Sequence, residues 1–242
     1  MSKGIALITG AGNRLGADFA RGLARAGYDI GVHYNGSAQG AEAVAADARQ
    51  CGVRAALLPA DLSQLSGIEA VLPACIDALG TPDILINNAS PYERDDATRP
   101  EAALWDLHGR VIAQAPAWLG AALYGAVPDG RQATIINILD QKLADRLTPD
   151  YFSYTAAKAA LQAVTEMQAR AFAPKLRVNA VSPGLTLRSG TMTDADFERL
   201  HDRTPLQRGS RPSDLIEAIL YLIGAPAVSG QTLIVDGGES LK

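Results

Sequence analysis

Tyr154 and Lys158 stand four residues apart in the alanine-rich run Tyr151-Phe-Ser-Tyr-Thr-Ala-Ala-Lys-Ala-Ala-Leu-Gln-Ala-Val-Thr165. At that spacing both side chains share one face of a helix. An ammonium beside a phenol favours phenolate and lowers the tyrosine pKa, the adjustment that lets a tyrosine exchange protons near neutrality. Upstream, the apolar run Ala133-Thr-Ile-Ile-Asn-Ile-Leu-Asp140 reads as a buried strand that ends in a carboxylate. In a parallel sheet that C-terminal edge is where ligands sit.

A second chemistry is written near the N-terminus. Gly4-Ile-Ala-Leu-Ile-Thr-Gly-Ala-Gly-Asn-Arg-Leu-Gly16 is an apolar strand, a glycine turn and the start of a helix. The helix N-H groups there suit an anion, with a dinucleotide pyrophosphate as the leading occupant and a bare strand-to-helix turn as the alternative. The spacing of Gly10, Gly12 and Gly16 is looser than Gly-x-Gly-x-x-Gly. An NAD site places a carboxylate about 20 residues beyond the turn, yet His33-Tyr-Asn-Gly-Ser37 has none. With Arg14 in the turn and Asn35 and Ser37 as donors, NADP is expected over NAD.

These groups need a scaffold that brings strand ends together. Helical pattern covers 14–27, with Gly27 as C-cap, then 41–50, 64–79, 101–124, 151–165 and 214–224. Strand pattern covers 28–34, 53–60, 83–86, 133–140, 176–181 and 231–238 after the first strand. This alternation, without linker or repeat, predicts one α/β domain: a Rossmann-type doubly wound sheet of seven parallel strands flanked by helices. Within 101–124, Trp105, Ile112, Leu119 and Leu123 are expected to be buried and Pro116 to mark an irregularity. The stretch 185–209, with mixed charge and few apolar anchors, reads as a lid over a pocket.

Loop positions add candidates. Asp61, after the third strand, either reaches an adenine amino group or serves its own turn. Asn87 and Asn88 must use their amides near the core, by bridging strands, by lining a cofactor path, or both. Tyr92 either presents a ring at the cleft or covers the core.

Composition excludes other classes. A formal charge of −4 and no basic run argue against a nucleic-acid surface. No apolar stretch of about 18 residues suggests a membrane span, and Met1-Ser-Lys-Gly enters the first strand without an export segment, so a cytoplasmic protein is expected. Cys51 and Cys75 form no disulfide or metal pattern, and each is expected to be a small half-buried residue; no metal is expected.

The assembled motifs resemble the classical short-chain dehydrogenase/reductase family over essentially the whole chain. They are Thr9-Gly10-Ala11-Gly12-Asn13-Arg14-Leu15-Gly16, Asn87-Asn88-Ala89, Tyr154-Thr-Ala-Ala-Lys158, Pro183-Gly184 and Val235-Asp-Gly-Gly238. The resemblance implies an NAD(P)-dependent oxidoreductase, commonly a homotetramer, acting on a small molecule. Its tyrosine exchanges a proton, and its lysine holds the nicotinamide ribose.

Two departures resemble the pteridine reductase and dihydromonapterin reductase branch: Arg14 where the family has glycine, and Asp140 where it has a catalytic serine. That branch implies Asp140, Tyr154 and Lys158 as catalytic residues, with Asp140 and Tyr154 as an acid pair for a ring nitrogen. For the cofactor, NADPH, it implies Gly10, Asn13, Arg14 and Leu15 in the turn. His33 and Tyr34 end the second strand, and Asn35 and Ser37 follow it, with Ser37 for the 2′-phosphate. Asp61, Leu62, Asn87 and Ala89 lie along the path, and Pro183 and Gly184 join Tyr154 and Lys158 at the nicotinamide end. For a pterin, the implied contacts are Arg14, Ser90, Tyr92, Asp140, Tyr154 and Leu185, with Tyr92 stacking on the ring.

Three positions depart from that branch. Gly36 replaces its basic residue, Ile112 falls where the family asparagine supports a water relay, and the Asp140–Tyr154 separation is one residue longer than usual. The leading expectation is NADPH-dependent reduction of a pterin-type C=N bond. The alternatives are another ketone, imine or quinone, and an NADPH-binding protein without turnover.

Overall fold

The computed structural model describes residues 2–144, 147–188 and 192–241. Strands and helices alternate from the start: β1 (Ile5–Ile8), α1 (Arg14–Arg25), β2 (Asp29–Tyr34), α2 (Ala38–Gln50), β3 (Ala55–Pro59), α3 (Leu65–Leu79) and β4 (Ile84–Asn87). Then come α4 (Ala102–His108), a π-helical turn (Gly109–Gln114), α5 (Ala115–Ala126), β5 (Ala133–Ile138) and α6 (Phe152–Ala171). β6 (Leu176–Pro183), α7 (Asp194–Asp202), α8 (Pro212–Gly224) and β7 (Thr232–Val235) complete the chain.

The seven strands form one sheet in the order β3-β2-β1-β4-β5-β6-β7, every pair parallel. Period-two alternation divides its core. Ala6 and Ile8 of β1 pack with residues of α1, α2 and α8, whereas Ile5 and Leu7 pack with α3 and α5 on the opposite face. Each such buried Leu or Ile stabilises the sheet by roughly 1.5–3 kcal/mol. The order reverses between β1 and β4, so their C-terminal ends splay and open the crevice in which doubly wound proteins bind ligands.

Gly27 works as expected at the end of α1. It lies at φ 95° and donates to the Ala24 carbonyl while Tyr28 donates to Leu23, the paired bonds of a Schellman turn.

The expected helix over 101–124 is broken differently. Its irregularity is the π turn before Pro116, and Pro116 sits in the first turn of α5, where a missing N-H is harmless. An extra residue per turn rotates the apolar face, so a regular 3.6-residue reading fails across it. Ile112, Leu119 and Leu123 are buried, but Trp105 is 47% exposed at the rim against Phe152, and His108 takes the fully buried position instead. Cys75 is buried and Cys51 exposed, both free, so the expectation that each is half-buried fails in both directions. Among the described residues no group of side chains suits a metal, and no helix is long and apolar enough to cross a membrane. Residues 189–191 of the expected lid lie outside the described residues; α7 falls within the remainder.

Candidate active site

A cavity of about 770 Å³ opens at the β1–β4 crevice. The turn after β1 forms one wall. Gly10 is left-handed (φ 64°), and so is Arg14 (φ 48°) at the head of α1. A left-handed conformation costs a non-glycine residue about 1–2 kcal/mol, so the position imposes strain that a glycine would relieve. Asn13 begins α1 without a side-chain cap bond, leaving the first N-H groups of a 12-residue helix to the cavity. That is a fitting cradle for a cofactor pyrophosphate. The Arg14 guanidinium also lines the cavity, but it forms no ion pair with Asp140; it donates to the Arg188 carbonyl at 3.1 and 3.2 Å.

Buried polar groups fasten this turn from behind. Asn88 Nδ2 donates to the Thr9 and Gly10 carbonyls at 2.9 and 3.2 Å, and the Thr9 hydroxyl accepts from the Asn88 and Ala89 N-H groups at 3.0 Å. His33, 2% exposed, accepts the Gly10 N-H on Nδ1 (3.1 Å), which leaves Nε2 to donate to the Ala60 carbonyl (3.2 Å). Burial pushes the His33 pKa down to about 4, so the ring is neutral in the fold.

This linkage predicts a pH-dependent stability. Between about pH 4 and 6.5 the unfolded chain binds a proton at His33 that the fold refuses, so stability falls as pH drops through that window and is unaffected by this group above it. From pH 7 to pH 5 the expected loss is ~2 kcal/mol from this residue. Urea unfolding of wild type and His33→Gln at both pH values checks it: the variant should lack that increment.

The opposite wall carries the titratable residues. Tyr154 and Lys158 lie on α6, and Asp140 follows β5. The Tyr154 hydroxyl donates to Asp140 Oδ2 at 2.7 Å, while Asp140 Oδ1 accepts the Lys142 N-H at 2.9 Å. Lys158 is 3% exposed; its Nζ donates to the Ile138 carbonyl at 2.6 Å and lies 5.6 Å from the Tyr154 ring centroid.

The expected lysine effect on the tyrosine is therefore reversed here. Burial first, then the Asp140 carboxylate, raises the Tyr154 pKa well above its usual value, because the nearest charge is negative and the ammonium is bonded elsewhere. Burial brings the Lys158 ammonium down to about 8, against the opposing pull of Asp140.

Most of the sequence-derived candidates meet in this cavity: Gly10, Asn13, Arg14, Leu15, His33, Asn35, Asp61, Leu62, Ala89, Ser90, Tyr92, Pro183, Gly184 and Leu185 all line it. Asp61 serves its own turn, its Oδ1 accepting the Ser63 N-H at 2.9 Å, and it also lines the cavity. Three candidates do not line the cavity. Asn87 is buried and bridges strands, donating to Asn137 Oδ1 at 2.8 Å. Tyr34 packs against the core beside α2. Ser37 lies against Gly12, close enough that a Cβ there would strike its hydroxyl.

Tyr92, 47% exposed, stacks on Tyr151 (centroids 4.3 Å apart), which covers one face of its ring, and lies at right angles to the Tyr154 ring. Ile112 packs with Leu139, Tyr154 and Leu161 and offers no polar group for a relay. The sequence reading missed Lys142, Thr186 and Glu239 on the cavity wall. Lys142, two residues past Asp140, was the findable one.

A crevice with a phosphate-ready helix end on one wall and a buried proton donor on the other defines a dinucleotide-dependent oxidoreductase. Comparison with known proteins agrees. A family model described as Enoyl-(Acyl carrier protein) reductase matches residues 10–240. 2-Dehydro-3-deoxy-D-gluconate 5-dehydrogenase of Escherichia coli is 34% identical over 97% of this chain and 94% of its own. Pteridine reductase 1 of Leishmania tarentolae is 31% identical over 98% and 96%. The crystal structure of FolM alternative dihydrofolate reductase 1 from Brucella suis, in complex with NADP, superposes with a TM-score of 0.95 at 33% identity, covering 99% of this chain and 96% of that one. The chain belongs to the short-chain dehydrogenase/reductase family and is an oxidoreductase.

Proposed function

We propose that this protein is an NADPH-dependent reductase of a pterin-type C=N bond, in a substrate such as biopterin, a dihydropterin, dihydromonapterin or dihydrofolate. The observation that carries the reading is the Tyr154–Asp140 hydrogen bond. A carbonyl oxygen needs a neutral donor, whereas a basic ring nitrogen is served by a phenol backed by a carboxylate. The likeness to FolM with NADP and to pteridine reductase 1 supports it.

NADPH, when bound, supplies the hydride. The open N-terminus of α1 and Arg14 would hold its phosphates, and with Ser37 lodged against Gly12, Asn35 is the side-chain donor that remains for the 2′-phosphate. Lys158 holds the ribose. The open face of Tyr92 and the Ser90 hydroxyl receive the pterin. Tyr154 stays protonated at neutral pH and gives its proton to the ring nitrogen; Asp140, half-buried on the wall, accepts the phenol's hydrogen bond and so orients it, and the phenolate is reprotonated from solvent through the open cavity. The described residues of the 185–209 segment, 185–188 and 192–209, serve as the lid over the substrate, with Leu185 on the cavity wall. We read the enzyme as a cytoplasmic homotetramer; the exposed Trp118, Tyr124, Leu233 and Ile234 favour self-association.

The test is NADPH oxidation with those four pterins beside a panel of ketones, imines and quinones. Turnover of at least one pterin is expected. Pterin rates no higher than those of a Tyr154→Phe control would overturn the reading. Carbonyl turnover alone would select the second reading, which the likeness to 2-dehydro-3-deoxy-D-gluconate 5-dehydrogenase favours.

A further inference from the structure

A second buried polar cluster lies against Tyr154, outside the cavity wall. His108, the last residue of α4, is fully buried. Its Nδ1 is 2.7 Å from the Ser153 hydroxyl, and its Nε2 accepts the Glu93 N-H at 3.4 Å. With Nε2 as acceptor, Nδ1 carries the hydrogen and donates to Ser153. Desolvation lowers the ring's pKa, which keeps it neutral.

Ser153 is held from a third side. Its N-H donates to both carboxylate oxygens of buried Asp95, at 3.1 and 3.2 Å, and the Tyr151 N-H donates to the Asp95 carbonyl at 2.9 Å. Asp95 thereby caps α6 from 58 residues away. The helix needs it: Tyr151, at the cap position, is left-handed (φ 54°) and makes no side-chain cap bond.

Serine, histidine and aspartate do not form a hydrolytic triad here. The carboxylate bonds the Ser153 backbone and not the imidazole, and the serine is 2% exposed. What the cluster adjoins is the tyrosine. Ser153 precedes it in the chain, and the His108 ring meets the Tyr154 ring edge-on with centroids 6.0 Å apart. Apart from its hydrogen bond to Asp140 and the edge-on contact with Tyr92, Tyr154 is packed by Ile112, Leu139, Ala157 and Leu161, apolar neighbours that fill space without fixing the direction of the helix turn that carries it. Hydrogen bonds supply direction.

We infer that Asp95 and His108 are positioning residues for Tyr154: through Ser153 they set the first turn of α6 so that the phenol meets Asp140. They also fasten that turn to the loop bearing Ser90 and Tyr92, whose ring stacks on Tyr151. Occupancy of the substrate loop and placement of the proton donor are thus mechanically joined. The inference rests on the proposed role of Tyr154 as proton donor.

The test uses full-length Asp95→Ala, His108→Phe and His108→Asn, the last keeping a side-chain N-H near the Nδ1 position. On whichever substrate the wild type reduces, Asp95→Ala and His108→Phe should lower kcat about 10- to 100-fold. NADPH affinity should change less than about threefold, and His108→Asn should recover most of the rate. A second readout needs no substrate: alkaline titration of tyrosine absorbance, each protein compared with its own Tyr154→Phe background. In the wild type Tyr154 should ionise only well above the usual tyrosine range, and in Asp95→Ala its titration should move down toward it.

Unchanged kcat and an unmoved titration in both variants overturn the inference. So does a joint fall of kcat and NADPH affinity without rescue by asparagine, which assigns the cluster to the fold alone. If the wild type reduces nothing on either panel, the proposed function fails and the titration alone decides the positioning role. Should His108→Phe not fold, Asp95→Ala against Asp95→Asn, which keeps one acceptor, decides it.

Discussion

Tyr154→Phe is expected to lower kcat by about 10³-fold while NADPH affinity stays within about threefold. The phenol is 6% exposed and donates its only hydrogen bond to Asp140, so removing one oxygen deletes the proton donor and leaves the ring in place among Ile112, Leu139 and Leu161. Asp140→Ser is the sharper partner. Serine can still accept the Lys142 N-H that Asp140 now takes, so the local turn should survive. The carboxylate behind the phenol is lost, however, and the serine hydroxyl gives the site a second neutral donor beside Tyr154. Pterin reduction should fall at least about 100-fold, and any carbonyl turnover should be spared or improved. Steady-state rates on both panels, with NADPH binding followed by fluorescence, provide the check. Pterin turnover within tenfold of wild type in Tyr154→Phe would remove the phenol from the chemistry. An equal loss of cofactor binding in Asp140→Ser would make that residue structural.

The sheet and its direction were legible because a parallel sheet, buried on both faces, writes its strands as short apolar runs, and β1, β4 and β5 are of that kind. The cavity was legible for a related reason: residues just past strand ends must gather at one edge, and Arg14, Asp61, Ala89 and Asp140 do. What escaped depended on side-chain direction. Asn87 and Asn88 are adjacent, so they face opposite ways from β4; one bridges to Asn137 and the other pins the glycine turn. Tyr154 and Lys158 do share a face, but sequence spacing did not reveal that a backbone carbonyl would claim the ammonium and Asp140 the phenol. His108 belongs to no motif or spacing pattern in the sequence that would mark it. Only the π turn after it rotates Trp105 outward and carries the imidazole into contact with α6.

Gly16→Ala is expected to weaken NADPH binding about 10- to 100-fold, although it adds a single methyl to a helix and alanine is the better helix former. The reason lies in the turn. A Cβ on Gly16 would collide with the Gly10 carbonyl oxygen, and would lie 2.5 Å from Asn88 Nδ2 and 2.8 Å from the Gly10 carbonyl carbon. None of these atoms can yield cheaply. Gly10 is fixed through its N-H to His33, and Asn88 through its amide to Thr9 and Gly10, so relief on one side breaks a bond on another. Overpacking of this kind costs about 1–3 kcal/mol, and here it falls on the backbone that shapes the phosphate cradle. Gly125→Ala is the matched control. Gly125 is exposed near the end of α5 with no atom within 4 Å of its added Cβ, so alanine there should raise stability by about 0.5–1 kcal/mol and leave NADPH affinity unchanged. Fluorescence titration with NADPH and urea unfolding of the two variants separate the effects. Near-wild-type affinity in Gly16→Ala would mean that the turn can open without loss, and that the close approach of α1 to Gly10 is incidental to the cofactor site.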